Sequence, residues 1–224
     1  TFDEASDEWS SQFLIRRSRI KFGGFVFNPR VQYKFEMGLS NRDISTSSED
    51  GNGRGGSRLI LDAVIKWEFV KGWQLWAGQT KLPGNRERVI SSANLQFVNR
   101  SLLNSKMNID RDAGIQIRGK INAGNAIFKP SFAISQGEGR NITSDNFGGY
   151  SYTGRLDILP MGKFKSKGDY DSGDIKRESK PKLAIGLTFD YNDGAVRQGG
   201  QLGSFVRDST GSYAENTLMT FFAD

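Results

Sequence analysis

Residues 31–40, VQYKFEMGLS, decide how the rest of this chain is read. Val31, Tyr33, Phe35, Met37 and Leu39 alternate with Gln32, Lys34, Glu36, Gly38 and Ser40. An unbroken period of two describes a β-strand with one apolar face and one polar face. The polar face carries charge of both signs, while the apolar face is made of large side chains.

The pattern repeats outward in both directions. Upstream, 12–27 sets Ile20, Phe22, Gly24 and Val26 against Arg17, Arg19 and Lys21, with Phe25 and Phe27 blurring the end. Asn28-Pro29-Arg30 reads as a tight turn. Downstream, a Gly/Ser-rich loop at 41–58 precedes a strand at 59–70. There Leu61, Ala63, Ile65, Trp67 and Phe69 oppose Asp62, Lys66 and Glu68. Lys71-Gly72 turns the chain into a strand at 73–80. Further strands are predicted at 113–121, 127–136, 150–160, 182–192 and 217–224, with a turn at 122–125 and glycine-rich loops at 137–149 and 193–216.

Between 80 and 112 the alternation stops. Long connections without regular structure are uncommon in compact domains and usually functional. This one carries Lys81, Arg86, Arg88, Arg100, Lys106 and Arg111. Val89, Ile90, Ala93, Phe97, Val98 and Leu102 fall at roughly helical spacing. The segment reads as a loop with a short helix, packed on an apolar surface and presenting cations.

Composition narrows the function classes. The chain has 224 residues, 36% hydrophobic and 25% charged, which suffices for one domain with a core. No apolar run is long enough for a transmembrane helix. Cysteine and histidine are both absent, which excludes disulfides and thiolate metal sites and removes the commonest general base. No cofactor or metal site is expected, and no enzyme activity. The net charge of +6 suits anions, and basic residues interleaved with acidic ones do not form a nucleic-acid stripe. A mean hydropathy of −0.52 is compatible with a membrane barrel, where only alternate residues meet lipid.

An antiparallel soluble sandwich would also show apolar-in, polar-out strands. The connections favour a transmembrane barrel. Tight turns and long polar loops alternate, as they do between the two sides of an outer membrane. Aromatics at strand ends, Phe13, Phe27, Trp73, Tyr150 and Tyr191, fit interfacial girdles. The charged connection at 161–181 breaks the rule, standing long where a tight turn belongs. The nine strand-like runs, the last cut short, suggest a single β-barrel domain over 1–224, incomplete at both ends. The basic segment would then be its third external loop.

The runs FLIRRSRIKFGGFVFNPRVQYKFEMG (13–38), WAGQTKLPGNRERVISSANLQFVNRSLLNS (76–105) and NIDRDAGIQIRG (108–119) resemble the phosphate-selective porin O and P family. The resemblance implies an all-β, transmembrane antiparallel barrel of sixteen strands. It also implies a trimer in the outer membrane of a Gram-negative bacterium, with the third loop folded inward to narrow the channel. The function implied is passive diffusion of phosphate-like anions, with membrane lipid, small anions and other outer-membrane proteins as partners.

Lysine and arginine rings lining a pore favour anions. The candidates on the polar strand faces are Lys34, Lys66, Arg118, Lys120 and Arg155, joined by the six cations of the basic loop. The alternative for each is an ion pair with Asp62, Glu68, Glu87, Asp110 or Asp112 that holds loop to wall. A barrel enzyme and a structural barrel without transport are the competing classes. The GNGRGG run at 51–56 matches a dinucleotide fingerprint but leads into a strand, not a helix. Asp169, Asp171 and Asp174 miss the EF-hand spacing and read as a solvated loop.

Overall fold

The structure, a computed structural model, describes residues 2–3, 8–9, 13, 15, 17–40, 43, 59–142 and 149–224. The GNGRGG run and nearly all of the 41–58 loop lie outside them. Among the described residues, strands β1 (Phe2–Asp3) and β2 (Glu8–Trp9) pair only with each other. All remaining strands form one antiparallel sheet of ten. In chain order they are β3 (Arg19–Val26), β4 (Asn28–Gly38), β5 (Ile60–Val70), β6 (Trp73–Lys81) and β7 (Arg111–Gly119). Then come β8 (Ile121–Ala123), β9 (Ala126–Ser135), β10 (Ser151–Leu159), β11 (Ile185–Ala195) and β12 (Asn216–Ala223). The helical segments with described bounds are α1 (Arg86–Val89), α2 (Leu102–Lys106) and a 3₁₀ segment, Lys165–Tyr170, and Asp43 is helical as well.

The sheet is a meander: apart from the short β8, which lies off the path and pairs with β9, the strands pair in chain order from β3 at one end to β12 at the other. Only Lys120 separates β7 from β8, and both pair with β9, so the expected strand at 113–121 is one line with a break. The expected turn at 122–125 is a two-residue hairpin between the paired Ala123 and Ala126, with Gly124 at φ 59°. The first turn differs from expectation. It is centred on Phe27, at φ 60°, between the paired Val26 and Asn28. Pro29 already lies in β4, near the strand start, where a missing N–H is tolerated.

The two faces of the sheet have opposite character. Phe22, Ile65, Trp67, Ile115, Phe132, Phe189 and Phe221 stand exposed on one. On the other, Glu36 is 1% exposed and Asp62 0%, with Thr153, Asp157, Thr188 and Asp190 also buried. A water-soluble fold buries the first set and exposes the second. Here the apolar face is bare and the ionic face is covered by the chain's own connections. No helix among the described residues is long and apolar enough to cross a membrane.

One residue departs from strict alternation for a clear reason. The register between β4 and β5 shifts after Glu36–Asp62, so that Met37 pairs with Ile60. The resulting bulge turns Leu61 away from its expected neighbours and buries it.

Two connections cover the ionic face. Residues 82–110 join β6 to β7, and Leu82 and Ile109 pack there with Ala133 of β9 and with Phe222. Residues 160–184 join β10 to β11 from the sheet's opposite, tight-turn end. There Lys182 Nζ donates to Met161 O at 2.6 Å, closing the neck of the connection.

Candidate functional site

Strand register assembles the first cluster. Pairing sets Glu36 opposite Asp62, with Lys34 two residues along β4. Lys34 Nζ lies 2.5 Å from Asp62 Oδ2 and 2.9 Å from Glu36 Oε2. Arg111, at the start of β7, reaches the same carboxylate with Nε 3.1 Å from Asp62 Oδ1, and Thr80 donates to that oxygen at 2.9 Å. With Arg19 Nη1 2.9 Å from Glu36 Oε1, three cations and two anions are thus paired where the long connection rejoins the sheet.

The connection is tied down from several sides. Arg88 grips Asp110 through both Nε and Nη2. Burial alone would raise the Asp110 carboxyl, but Arg88 and Arg111 outweigh it and hold its pKa down at about 2. Arg155 donates to Gly84 O at 2.9 Å and to Thr188 Oγ1 at 2.8 Å while pairing with Asp157 and Asp224. Arg86 bridges outward to Asp157, Asp224 and the carbonyl of Asp169. Of the eleven cations expected to meet solute, Lys34, Arg86, Arg88, Arg111 and Arg155 therefore sit in ion pairs.

Four others are held without carboxylates. Lys81 Nζ donates to the carbonyls of Arg88, Val89 and Ile90 at 2.7, 3.1 and 3.1 Å. Arg100 donates to Glu87 O and Ile90 O, both at 2.8 Å. Burial, with Arg88 nearby, lowers its pKa to about 10, so it stays cationic at neutral pH. Arg118 donates to Gln116 Oε1 at 2.7 Å and to Lys81 O at 3.1 Å. Its Cζ also lies 4.1 Å from the centre of the Trp76 ring, and Lys66 Nζ lies 3.9 Å from the same centre. Carbonyls and a π face orient a cation without cancelling its charge. Lys106 and Lys120 are exposed, Lys106 on α2 and Lys120 at the tight-turn end, beyond the polar face of β7.

Sequence reading missed Trp76 as the partner of two cations, although pairing of Lys66 with Trp76 and of Trp76 with Gln116 follows once the strands are in register. It also missed Lys129, which pairs with Asp169. The expected helical stripe is corrected. Residues 90–101 are not helical, and α1 and α2 are single turns at the segment's two ends. Ile90 is buried, but Phe97 is 75% exposed and Leu102 85%. The anchor on the wall is Leu82 and Ile109 at the loop's two ends. The aspartates at 169, 171 and 174 act separately, on Lys129, on Lys176 and on the Glu178 N–H. No group of potential metal ligands occurs among the described residues.

A ten-stranded meander with a bare apolar face and connections folded against its ionic face defines the class of membrane-spanning β-sheet proteins. The chain belongs to the phosphate-selective porin O and P family, whose model matches residues 2–190. Among curated proteins, none is significantly similar in sequence. Membership implies an outer-membrane porin, a channel and not an enzyme, in a Gram-negative bacterium.

Proposed function

We propose that the ionic face lines the watery bore of an outer-membrane barrel and that segment 81–111 narrows it, giving passive, anion-preferring diffusion of small hydrophilic solutes. The observation that carries this reading is the set Lys66, Arg100 and Arg118. Among the described residues none of the three has a carboxylate within ion-pair distance. Uncompensated cations between low-dielectric walls concentrate anions above their bulk level. Arginine adds a planar fork that matches phosphate and carboxylate oxygens. Homotrimers and contacts with other envelope proteins form part of the same proposal.

Reversal potential across a planar bilayer in a salt gradient tests it. The unmodified channel is expected to prefer anions. Replacing Lys66 and Arg118 by Gln removes two charges from one ring and reduces the anion/cation permeability ratio by about fivefold, a shift of the order of 1 kcal/mol. Cation preference in the unmodified channel overturns the proposal. A structural barrel without transport is favoured by one observation, the direct contact between the two covering connections. Ser172 N donates to Asn94 O at 2.9 Å and Arg86 Nη1 to Asp169 O at 2.7 Å. Absence of any single-channel conductance would select that reading.

A further inference from the structure

The 160–184 connection does more than cover the sheet. Between it and the strands β6, β7 and β9 lies an open cavity of about 540 Å³. Four cations line it: Arg118 and Lys129 from the sheet, Lys167 and Lys176 from the connection. Asp169 pairs with Lys129, and Asp171 lies 3.8 Å from Lys176, so a surplus of two positive charges remains. Ser131, Ser166 and Asn94 supply polar groups, and Trp76 and Tyr170 supply ring surface.

Two features define what such a space would hold. The first is size. At about 30 Å³ per water the cavity has room for roughly eighteen, far more than a bare tetrahedral anion displaces, and it falls within the range of small-molecule sites. The second is Asp171. Its side chain is 8% exposed, and its Oδ2 is buried, 3.8 Å from Lys176 Nζ but with no hydrogen-bond donor among the described residues. An ion partner at that distance leaves the acceptor without a hydrogen bond, which is costly in a buried place. A carboxylate in the wall repels a ligand that offers only anionic oxygens. It welcomes one that also brings a hydroxyl donor.

We propose that this cavity is a binding site for a hydroxylated anion of the size of a sugar phosphate, its anionic group among Lys167, Lys176 and Arg118 and a hydroxyl on Asp171 Oδ2. The site deepens the anion-channel reading by naming a solute class, but its occupancy does not require a conducting pore.

The test is calorimetric titration of the full chain in detergent micelles with glucose 6-phosphate, inorganic phosphate and glucose. Glucose 6-phosphate is expected to bind at least about tenfold tighter than either, the worth of one well-placed hydrogen bond to a charged group. Asp171→Asn is isosteric and keeps an acceptor, but its amide is uncharged. It should reduce the preference for glucose 6-phosphate over phosphate several-fold. Lys167→Gln, at an exposed position, should weaken both phosphates and leave glucose unchanged. Equal binding of glucose 6-phosphate and inorganic phosphate, or a preference untouched by Asp171→Asn, overturns the site. Anion-selective conductance combined with either result would sink the site and leave the channel reading standing. Selective binding without conductance would do the reverse.

Discussion

The two connections on the ionic face are held in different ways. Residues 82–110 are fixed by buried opposite charges and by a small apolar anchor: Arg88 on Asp110, Arg155 on Gly84 O, and Leu82 with Ile109 against Ala133. Residues 160–184 rest on the Lys129–Asp169 pair and on two contacts made to the first connection. Their own turn is built from Ser166 and Lys167 at φ 47° and 62°, conformations that non-glycine residues adopt at a cost. The first connection is therefore part of the wall, and the second is seated against it. The difference is one of degree: Asp110 is 2% exposed at its side chain and Asp169 7%, so breaking the first pair strands a charge more completely, whereas Lys129, 22% exposed, can exchange part of its partner for water.

The largest expected effect comes from stranding such a charge. Arg88→Ala leaves Asp110, 1% exposed, without its main partner and should cost about 3 kcal/mol or more. Thermal unfolding and limited proteolysis within 82–110 would measure it. Unchanged stability would mean that the pair does not anchor the connection, and the contrast between the two segments would fail.

Acid provides the second test, with a definite sign. The folded Asp110 pKa lies at about 2, below the ordinary carboxylate value of 3.8. A depressed acid stabilises the fold fully above its unfolded pKa, and the contribution is lost as pH falls through the folded value. Asp110 should thus contribute roughly 2 kcal/mol at pH 6, declining between about pH 4 and pH 2. Proteolytic nicking of 82–110, followed as pH is lowered, should begin in that window. Onset near pH 6 would exclude Asp110 as the group responsible.

The sheet was legible because alternation is local: each residue announces its face by its neighbours two positions away. Where backbone irregularity intervenes the rule fails, as at Leu61 in its bulge and at Phe27, which makes a turn the proline seemed to own. The site was legible only as a set of cations. Whether Lys34 meets solute or Asp62 depends on strand register and side-chain reach. Whether Arg88 meets Asp110 depends on the path of a loop with no period to read. The stripe from Val89 to Leu102 misled for the same reason. Helical spacing describes a face only if a helix forms, and the chain there turns irregularly, leaving Phe97 and Leu102 bare. The one connection that broke the alternation of short and long, 161–181, is the one that lines the cavity against β6, β7 and β9.

The smallest effect is the sharpest for the comparison. Asp169→Asn removes the charge paired with Lys129 but leaves the Asp169 carbonyl to accept from Arg86. Lys129 is 22% exposed at its side chain and sits 5.0 Å from the Tyr170 ring, so water and the π face replace part of what is lost. The expected cost is about 1 kcal/mol, a roughly fivefold rise in local opening. Amide hydrogen exchange should show it within 160–184 alone, with protection in 82–110 unchanged. If exchange accelerates equally in both, the contacts Ser172–Asn94 and Arg86–Asp169 bind the two segments into one cooperative unit. Wall and seat would then open together.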